Sequence, residues 1–230
     1  TENFKRSKEE VNFLMNLFVN KFKTEGKYFN EKNIKVIFSG RRKSPLPKKV
    51  ITMMEKFKNY YLEKEKYRNY LLIIMGLNTA LRISDILKLR WNDVYDFQNK
   101  RYRSHICLVE QKTGKKTMIA VNHSLHEALV MCRKDRNEED FLFCTHSDPS
   151  HAISRYQAYR IIRRAAEECG LEGHISCHSL RKTFGYHAWK QGVPPAMLMN
   201  IYNHSSYQIT KRYLGIEQDD MDYVFRKIDL

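Results

Sequence analysis

Residues 177–192 read CHSLRKTFGYHAWKQG. Leu180, Phe184 and Ala188 recur every four positions, the spacing of one face of an α-helix, so they predict a buried stripe. His178 and Arg181 are three apart and project from a neighbouring face. They stand at the start of this helix, where free backbone N–H groups and the macrodipole favour an anion such as a phosphate oxygen. An H-x-x-R pair alone is weak, because most such pairs are structural or solvated. Its meaning depends on what else the chain brings.

Downstream, residues 203–215 read NHSSYQITKRYLG, with His204 in a turn and Tyr213 one short helix further on. Lys211 and Arg212 directly precede the tyrosine. A phenol ionises near pH ~10 when unperturbed, so it becomes a useful nucleophile only where its surroundings activate it. The chain has 14 tyrosines, and on its own Tyr213 reads more readily as ordinary packing.

Upstream, residues 79–94 read TALRISDILKLRWNDV. Arg82 begins a short helical pattern and Asp85 follows three positions later, so the two can pair on one helical side. Arg82 could instead offer its planar fork to a phosphate. The same stretch also resembles part of a helix-turn-helix. Between these segments lie the β-rich runs 105–109 (HICLV) and 117–121 (TMIAV), separated by residues that include Thr113-Gly114. They predict a β-hairpin with Lys112 close to its turn.

Charge narrows the choice of partner. Lys and Arg total 41 against 26 Asp and Glu, a formal charge of +15. Such an excess favours a polyanion, because neutralising phosphates releases condensed counterions, although a merely basic soluble protein would show it too. Hydrophobic residues make up 42% of the chain, enough for a packed core. No apolar run reaches the ~18 residues a membrane span needs, and no membrane association is expected. Five cysteines show no C-x-x-C pair, which is the pattern of reduced intracellular thiols. His174, Cys177 and His178 in "HISCH" look like half of a zinc site, but no second half accompanies them. No metal or other cofactor is expected.

The pattern along the chain is mostly helical. Residues 7–23 carry a helical apolar stripe opened by Ser7 and Glu10. The Gly-, Pro- and cation-rich stretch 39–49 is the best boundary. Two helices are expected within 48–78, and further ones at 123–133, 154–168, 178–191, 194–201 and 206–213. The expected organisation is an N-terminal helical segment, 1–44, followed by one domain, 45–230, that ends in a helical tail, 216–230.

In chain order stand Arg82, Lys112, His178 and Arg181, His204 and Tyr213. This set resembles the tyrosine recombinase (phage integrase) family, whose signature is R…K…HxxR…[H/W]…Y. The segments that carry the likeness are "TALRISDILKLRW", "EQKTGKK", "HSLRKTFGYHAWKQG" and "NHSSYQITKRYLG". They cover roughly residues 45–215, and within the family the chain looks most like integrases of phages and mobile elements. The resemblance implies an α+β, mostly helical catalytic domain with a small antiparallel sheet, and a site-specific recombinase that breaks and rejoins double-stranded DNA through a 3′-phosphotyrosine.

The resemblance also implies roles. Arg82 and Arg181 would bind the non-bridging phosphate oxygens, and Lys112 would protonate the leaving 5′-oxygen. Lys115 and Lys116 are weaker candidates for that task. His178 would accept the Tyr213 proton, His204 would donate to a phosphate oxygen, and Asp85 would buttress the first arginine or the histidine. A homotetramer on DNA recombination sites is implied, working without metal or ATP. A cytoplasmic, nucleoid-associated location in a bacterium, or a phage-encoded origin, goes with it.

Two departures from the family pattern stand out. The usual "LGH" reads "YNH", so Asn203 replaces a glycine; Asn tolerates left-handed backbone better than most residues. Residues 1–44 are also short for the family's helical core-binding domain. Either a further module precedes Thr1 or the arm is reduced. Met221, Val224, Phe225 and Ile228 suggest that the tail packs on its own core or docks on a neighbouring protomer. Two alternative functions remain at this point, a type IB topoisomerase-like relaxase and a non-catalytic DNA-binding regulator.

Overall fold

The computed structural model describes residues 48–215, apart from residue 172, together with residue 225. The expected helix 7–23, most of the boundary stretch 39–49 and all but one residue of the tail 216–230 lie outside the described residues.

The two helices expected within 48–78 are α1 (Lys48–Asn59) and α2 (Tyr67–Asn78). In α2 every residue from Tyr70 to Gly76 is buried. A helix apolar on all sides must be surrounded, and α2 is the centre of the main core. Helices α5 (His123–Cys132) and α7 (Cys177–Lys190) pack against it. Gly76 permits the α2–α7 approach, since a Cβ there would lie 2.6 Å from Leu180 Cδ1. Leu180 is itself buried, as the stripe predicted, whereas Phe184 and Ala188 are half-buried against a second cluster around Leu198, Tyr202 and Leu214.

After α2 the chain makes two one-turn helices, α3 (Ile83–Ile86) and α4 (Trp91–Val94). Neither is long enough to lie in a groove, so the helix-turn-helix likeness of this stretch is corrected. Trp91 is fully buried, and its backbone N–H donates to Asp140 O at 3.0 Å, tying α4 to the loop after α5.

Two small antiparallel ribbons follow. Strands β1 (Tyr95–Asp96) and β2 (Arg101–Tyr102) were not expected from the sequence. The Asp96 carboxylate closes their turn by accepting from Asn99 N at 3.0 Å and from Asn99 Nδ2 at 2.8 Å. The expected hairpin is β3 (His105–Val109) with β4 (Lys116–Ala120), its second strand one residue earlier than anticipated. Register pairs Ile106 with Ile119 and Val109 with Lys116. Ile106 faces the core, while Val109 and Met118 face out.

The remaining helices are α6 (Arg155–Glu168), α8 (Pro195–Tyr202) and α9 (Tyr207–Leu214), close to the expected bounds. Their starts are chemically specified. Ser154 and Gln157 form a reciprocal capping box on α6, at 2.7 and 3.1 Å, and Ser206 Oγ accepts from Ile209 N at 3.3 Å on α9. Pro195 sits in the first turn of α8, where its missing N–H costs nothing. Among the described residues no helix is long and apolar enough to cross a membrane.

Candidate active site

Helix α7 carries two of the predicted residues at its N-terminal end. Ser179 Oγ accepts from Ser176 N at 3.1 Å and fixes the entry of the chain. His178 is exposed at the rim, while Arg181 is only 4% exposed. The Arg181 guanidinium carbon lies 4.9 Å from the centre of the Tyr202 ring. Burial pulls its pKa down, and the neighbouring Tyr213 opposes that shift. Among the described residues no carboxylate lies within ion-pair distance of it. A buried cation without a paired anion is costly, and a phosphate is the natural complement to its fork.

The turn between α8 and α9 supplies His204. Asn203 closes α8 in left-handed conformation, φ 54° and ψ 49°, as the Asn-for-Gly reading anticipated. The His204 ring stacks on Tyr202 at 5.5 Å and meets Tyr213 edge-on at 5.1 Å. Burial, then Arg181 and Arg82, hold its pKa below the usual histidine value.

Tyr213 lies on α9 among these groups. Its ring centre is 5.7 Å from His178 and 5.1 Å from Tyr202, and Lys182 Nζ sits 5.2 Å over its face. The hydroxyl is buried and makes no hydrogen bond of good geometry, although the Arg181 guanidinium is near enough to favour the phenolate. Burial nevertheless dominates, so the phenol titrates above 10.0 despite Arg181 and Arg82. Lys211 and Arg212 directly precede Tyr213 in the sequence, yet neither is among the cations that act on its hydroxyl. Consecutive helical residues diverge by ~100°, and the cations that reach Tyr213 come from α7 and from Arg82.

Arg82 is the N-cap of α3. It does not pair with Asp85. Its Nη1 donates to Glu110, which is 3% exposed and also accepts from Thr113 and Thr117 hydroxyls, each at 3.1 Å. Burial pushes the Glu110 carboxyl up, but the bonds from Thr117, Arg82 and Thr113 outweigh it, and its pKa is lowered. Asp85 instead accepts from Gln111 N at 2.8 Å through Oδ1, with Oδ2 buried and unpartnered. The expected buttress therefore acts on the hairpin rather than on the arginine. An N-cap side chain leaves the helix surface, so the i, i+3 rule for pairing did not apply.

The same two carboxylates bracket Lys112 by holding its neighbours, Asp85 through Gln111 N and Glu110 through the Thr113 hydroxyl, and backbone bonds close the turn. Glu110 N donates to Lys115 O at 2.9 Å and Gly114 N to Glu110 O at 2.8 Å, with Gly114 at φ 66° in the turn. Lys115 Nζ donates to Asn200 O at 2.5 Å, on the last turn of α8. Lys115 is thus engaged elsewhere, and Lys116 is exposed on β4. Lys112 is exposed at the turn, close enough that its charge helps depress His178. For His178, burial is the larger cause, followed by Arg181, Lys182, Arg82 and then Lys112.

All six predicted residues therefore converge, while the half-zinc motif disperses. His178 faces Tyr213, His174 packs against Tyr159 at 5.9 Å, and burial pushes the Cys177 thiol up to about 11. Sequence reasoning missed Glu110, Tyr202, Lys182 and Thr210. Only Glu110 left a trace, a lone acid in the basic turn EQKTGKK.

Comparisons with known proteins identify similar sequences and folds. Residues 46–219 match the profile of the phage integrase family. Residues 1–88 also match that of an undecaprenyl diphosphate synthase, over less than half of the chain. The "Probable integrase/recombinase YoeC" of Bacillus subtilis (strain 168) is 46% identical over 173 residues, which is 75% of this chain and 91% of YoeC. A tyrosine recombinase of Pseudothermotoga lettingae is 25% identical over 80% of this chain and 61% of its own length. Among solved structures, the Tn1549 transposon integrase in complex with a circular intermediate DNA superposes with a TM-score of 0.59 at 22% identity, covering 82% of this chain and 67% of that one.

Proposed function

The chain belongs to the phage integrase family, the tyrosine recombinases, and from that premise we propose that it is a site-specific DNA recombinase whose nucleophile is Tyr213. One observation carries the assignment of the nucleophile. Its hydroxyl is buried, lacks a well-formed hydrogen bond and lies beside a buried arginine that has no carboxylate partner among the described residues.

The reaction follows from the charges. A phosphodiester carries one negative charge, and its five-coordinate transition state concentrates more on the non-bridging oxygens. Arg181 and Arg82 bind those oxygens, each such donor contributing roughly 10²–10³-fold. His178, whose pKa is held below the usual histidine value by burial and then by the neighbouring cations, is favoured in its basic form and accepts the Tyr213 proton. The phenolate attacks phosphorus, Lys112 protonates the departing 5′-oxygen, and a 3′-phosphotyrosine remains. His204 donates to a phosphate oxygen. A different 5′-hydroxyl attacking that ester reverses the step and exchanges strands.

Two exchanges between duplexes call for four protomers, and a homotetramer on DNA is part of this proposal. So is the division into residues 1–44 and a catalytic domain 45–230. The formal charge of +15 supports a phosphate-contacting surface.

The test is a nicked suicide duplex carrying a cognate site. A denaturation-resistant protein–DNA adduct is expected, and Tyr213→Phe should abolish it while retaining DNA binding. An adduct that survives in Tyr213→Phe would overturn the assignment.

A further inference from the structure

His204 must present an N–H to a phosphate oxygen if it is to act as proposed above, and a neutral imidazole has only one. Burial, and then the neighbouring cations Arg181 and Arg82, disfavour the doubly protonated ring. Which nitrogen keeps the proton is set by the partner of the other. That partner is Thr210, whose Oγ1 lies 3.0 Å from His204 Nδ1 and which is 0% exposed.

The hydroxyl has a single proton and two acceptors within reach. Ser206 O lies at 3.4 Å and already accepts Thr210 N at 3.3 Å. The imidazole nitrogen is closer and, among the described residues, has no other partner. Nε2 makes no hydrogen bond among the described residues. The ring cannot turn freely, because it is stacked on Tyr202 with planes 24° apart and lies edge-on to Tyr213.

We infer that Thr210 is a positioning residue, which donates its hydroxyl proton to Nδ1 of His204 and thereby keeps the imidazole N–H on Nε2, facing the phosphate. Thr210 sits three residues before Tyr213 on α9, so one helix carries both the nucleophile and the group that sets the tautomer of its neighbour. The inference rests on the reading of His204 as a phosphate donor, and its test reads the tautomer directly.

Nitrogen-15 NMR of the full chain at pH 7.5, with the His204 signals identified by their loss in His204→Asn, should show an unprotonated Nδ1 and a protonated Nε2. Thr210→Val, nearly isosteric, should populate the other tautomer and slow adduct formation roughly tenfold with DNA affinity unchanged. Thr210→Ser should recover most of that loss. A reversed or mixed tautomer in a wild-type enzyme that still forms the Tyr213 adduct overturns the inference and leaves the catalytic reading intact. So does a folded Thr210→Val variant with the wild-type tautomer and rate. The wild-type spectrum decides the matter even if the valine variant fails to fold.

Discussion

Arg82 and Glu110 form an ion pair in which the acid is 3% exposed and is held by two threonine hydroxyls as well as by the arginine. Twenty-eight residues separate them, and the contact joins the start of α3 to the turn that carries Lys112. One carboxylate thereby sets the position of a phosphate-binding fork and of a proton donor.

Glu110→Ala should therefore damage stability and activity together. Removing one partner of such a pair, with two hydroxyls left unsatisfied, costs roughly 2 kcal/mol, measurable by denaturant unfolding. The sign of the pH effect follows from the lowered Glu110 pKa. A depressed carboxylate stabilises the fold above its unfolded pKa and loses that contribution as pH falls through its folded one. The wild type should lose stability below pH 4.5, and Glu110→Gln should show a flatter acid limb. Parallel acid limbs would remove Glu110 from this role.

His178 predicts a pH profile of its own. Its pKa is held below 6.5 by burial and then by Arg181, Lys182, Arg82 and Lys112, so the basic form exists above that value. The second-order rate of adduct formation, which reports the free enzyme, should rise with pH to a midpoint below 6.5 and then level off. His178→Gln should lower the plateau by about 10²–10⁴-fold and flatten the acid limb. An unchanged limb in that variant would assign the base elsewhere.

Lys112 is exposed at the hairpin turn, so its removal should spare the fold. Lys112→Ala should keep the wild-type melting temperature and bind DNA, yet cleave slowly. If the loss is a missing proton for the leaving oxygen, a substrate with sulfur at the 5′-bridging position should recover most of the rate, since a thiolate departs unprotonated. Equal slowing on both substrates would argue against general acid catalysis by this lysine.

The sequence made the local half of this site legible. His178 and Arg181 share a helical face, His204 and Tyr213 flank one short helix, and the Thr113-Gly114 turn announced the hairpin of Lys112. Long-range pairing was not legible. Glu110 with Arg82 and Tyr202 with Arg181 are partners that only the folded chain brings together, and Tyr202 falls one residue past the helix expected at 194–201. Asp85 was misread because Arg82 caps α3 instead of lying along it. The β1–β2 ribbon escaped notice because two-residue strands leave no alternation to detect. The one-turn helix α4 likewise spans too few residues for a helical period.

Gly185 links packing to the site. A Cβ there would lie 2.6 Å from Leu214 Cδ2 and would also strike the Tyr202 hydroxyl, which donates to Arg181 O at 2.7 Å. Gly185→Ala must push α8 and α9 away from α7, and overpacking of this kind costs about 1–3 kcal/mol. Calorimetry should show a lower melting temperature. Adduct formation should fall further than stability alone explains, because His204 and Tyr213 ride on the displaced segment. Tyr202→Phe separates the two effects, since it removes one hydrogen bond worth about 1 kcal/mol without displacing any helix.

Asn203 carries the last prediction. Its φ of 54° lies in the left-handed region, where a residue with an ordinary Cβ is strained by roughly 1–2 kcal/mol. The turn it makes lets His204 N donate to Met199 O at 3.0 Å and aims the imidazole at Tyr213. Asn203→Gly should be close to neutral, because glycine adopts the same backbone freely while raising the entropy of the unfolded chain. Asn203→Val, β-branched and strained there, should lose more than about 1 kcal/mol and slow adduct formation by misplacing His204. If valine were tolerated in both unfolding and cleavage, the turn would not be what positions the imidazole, and Tyr202 stacking alone would have to do so.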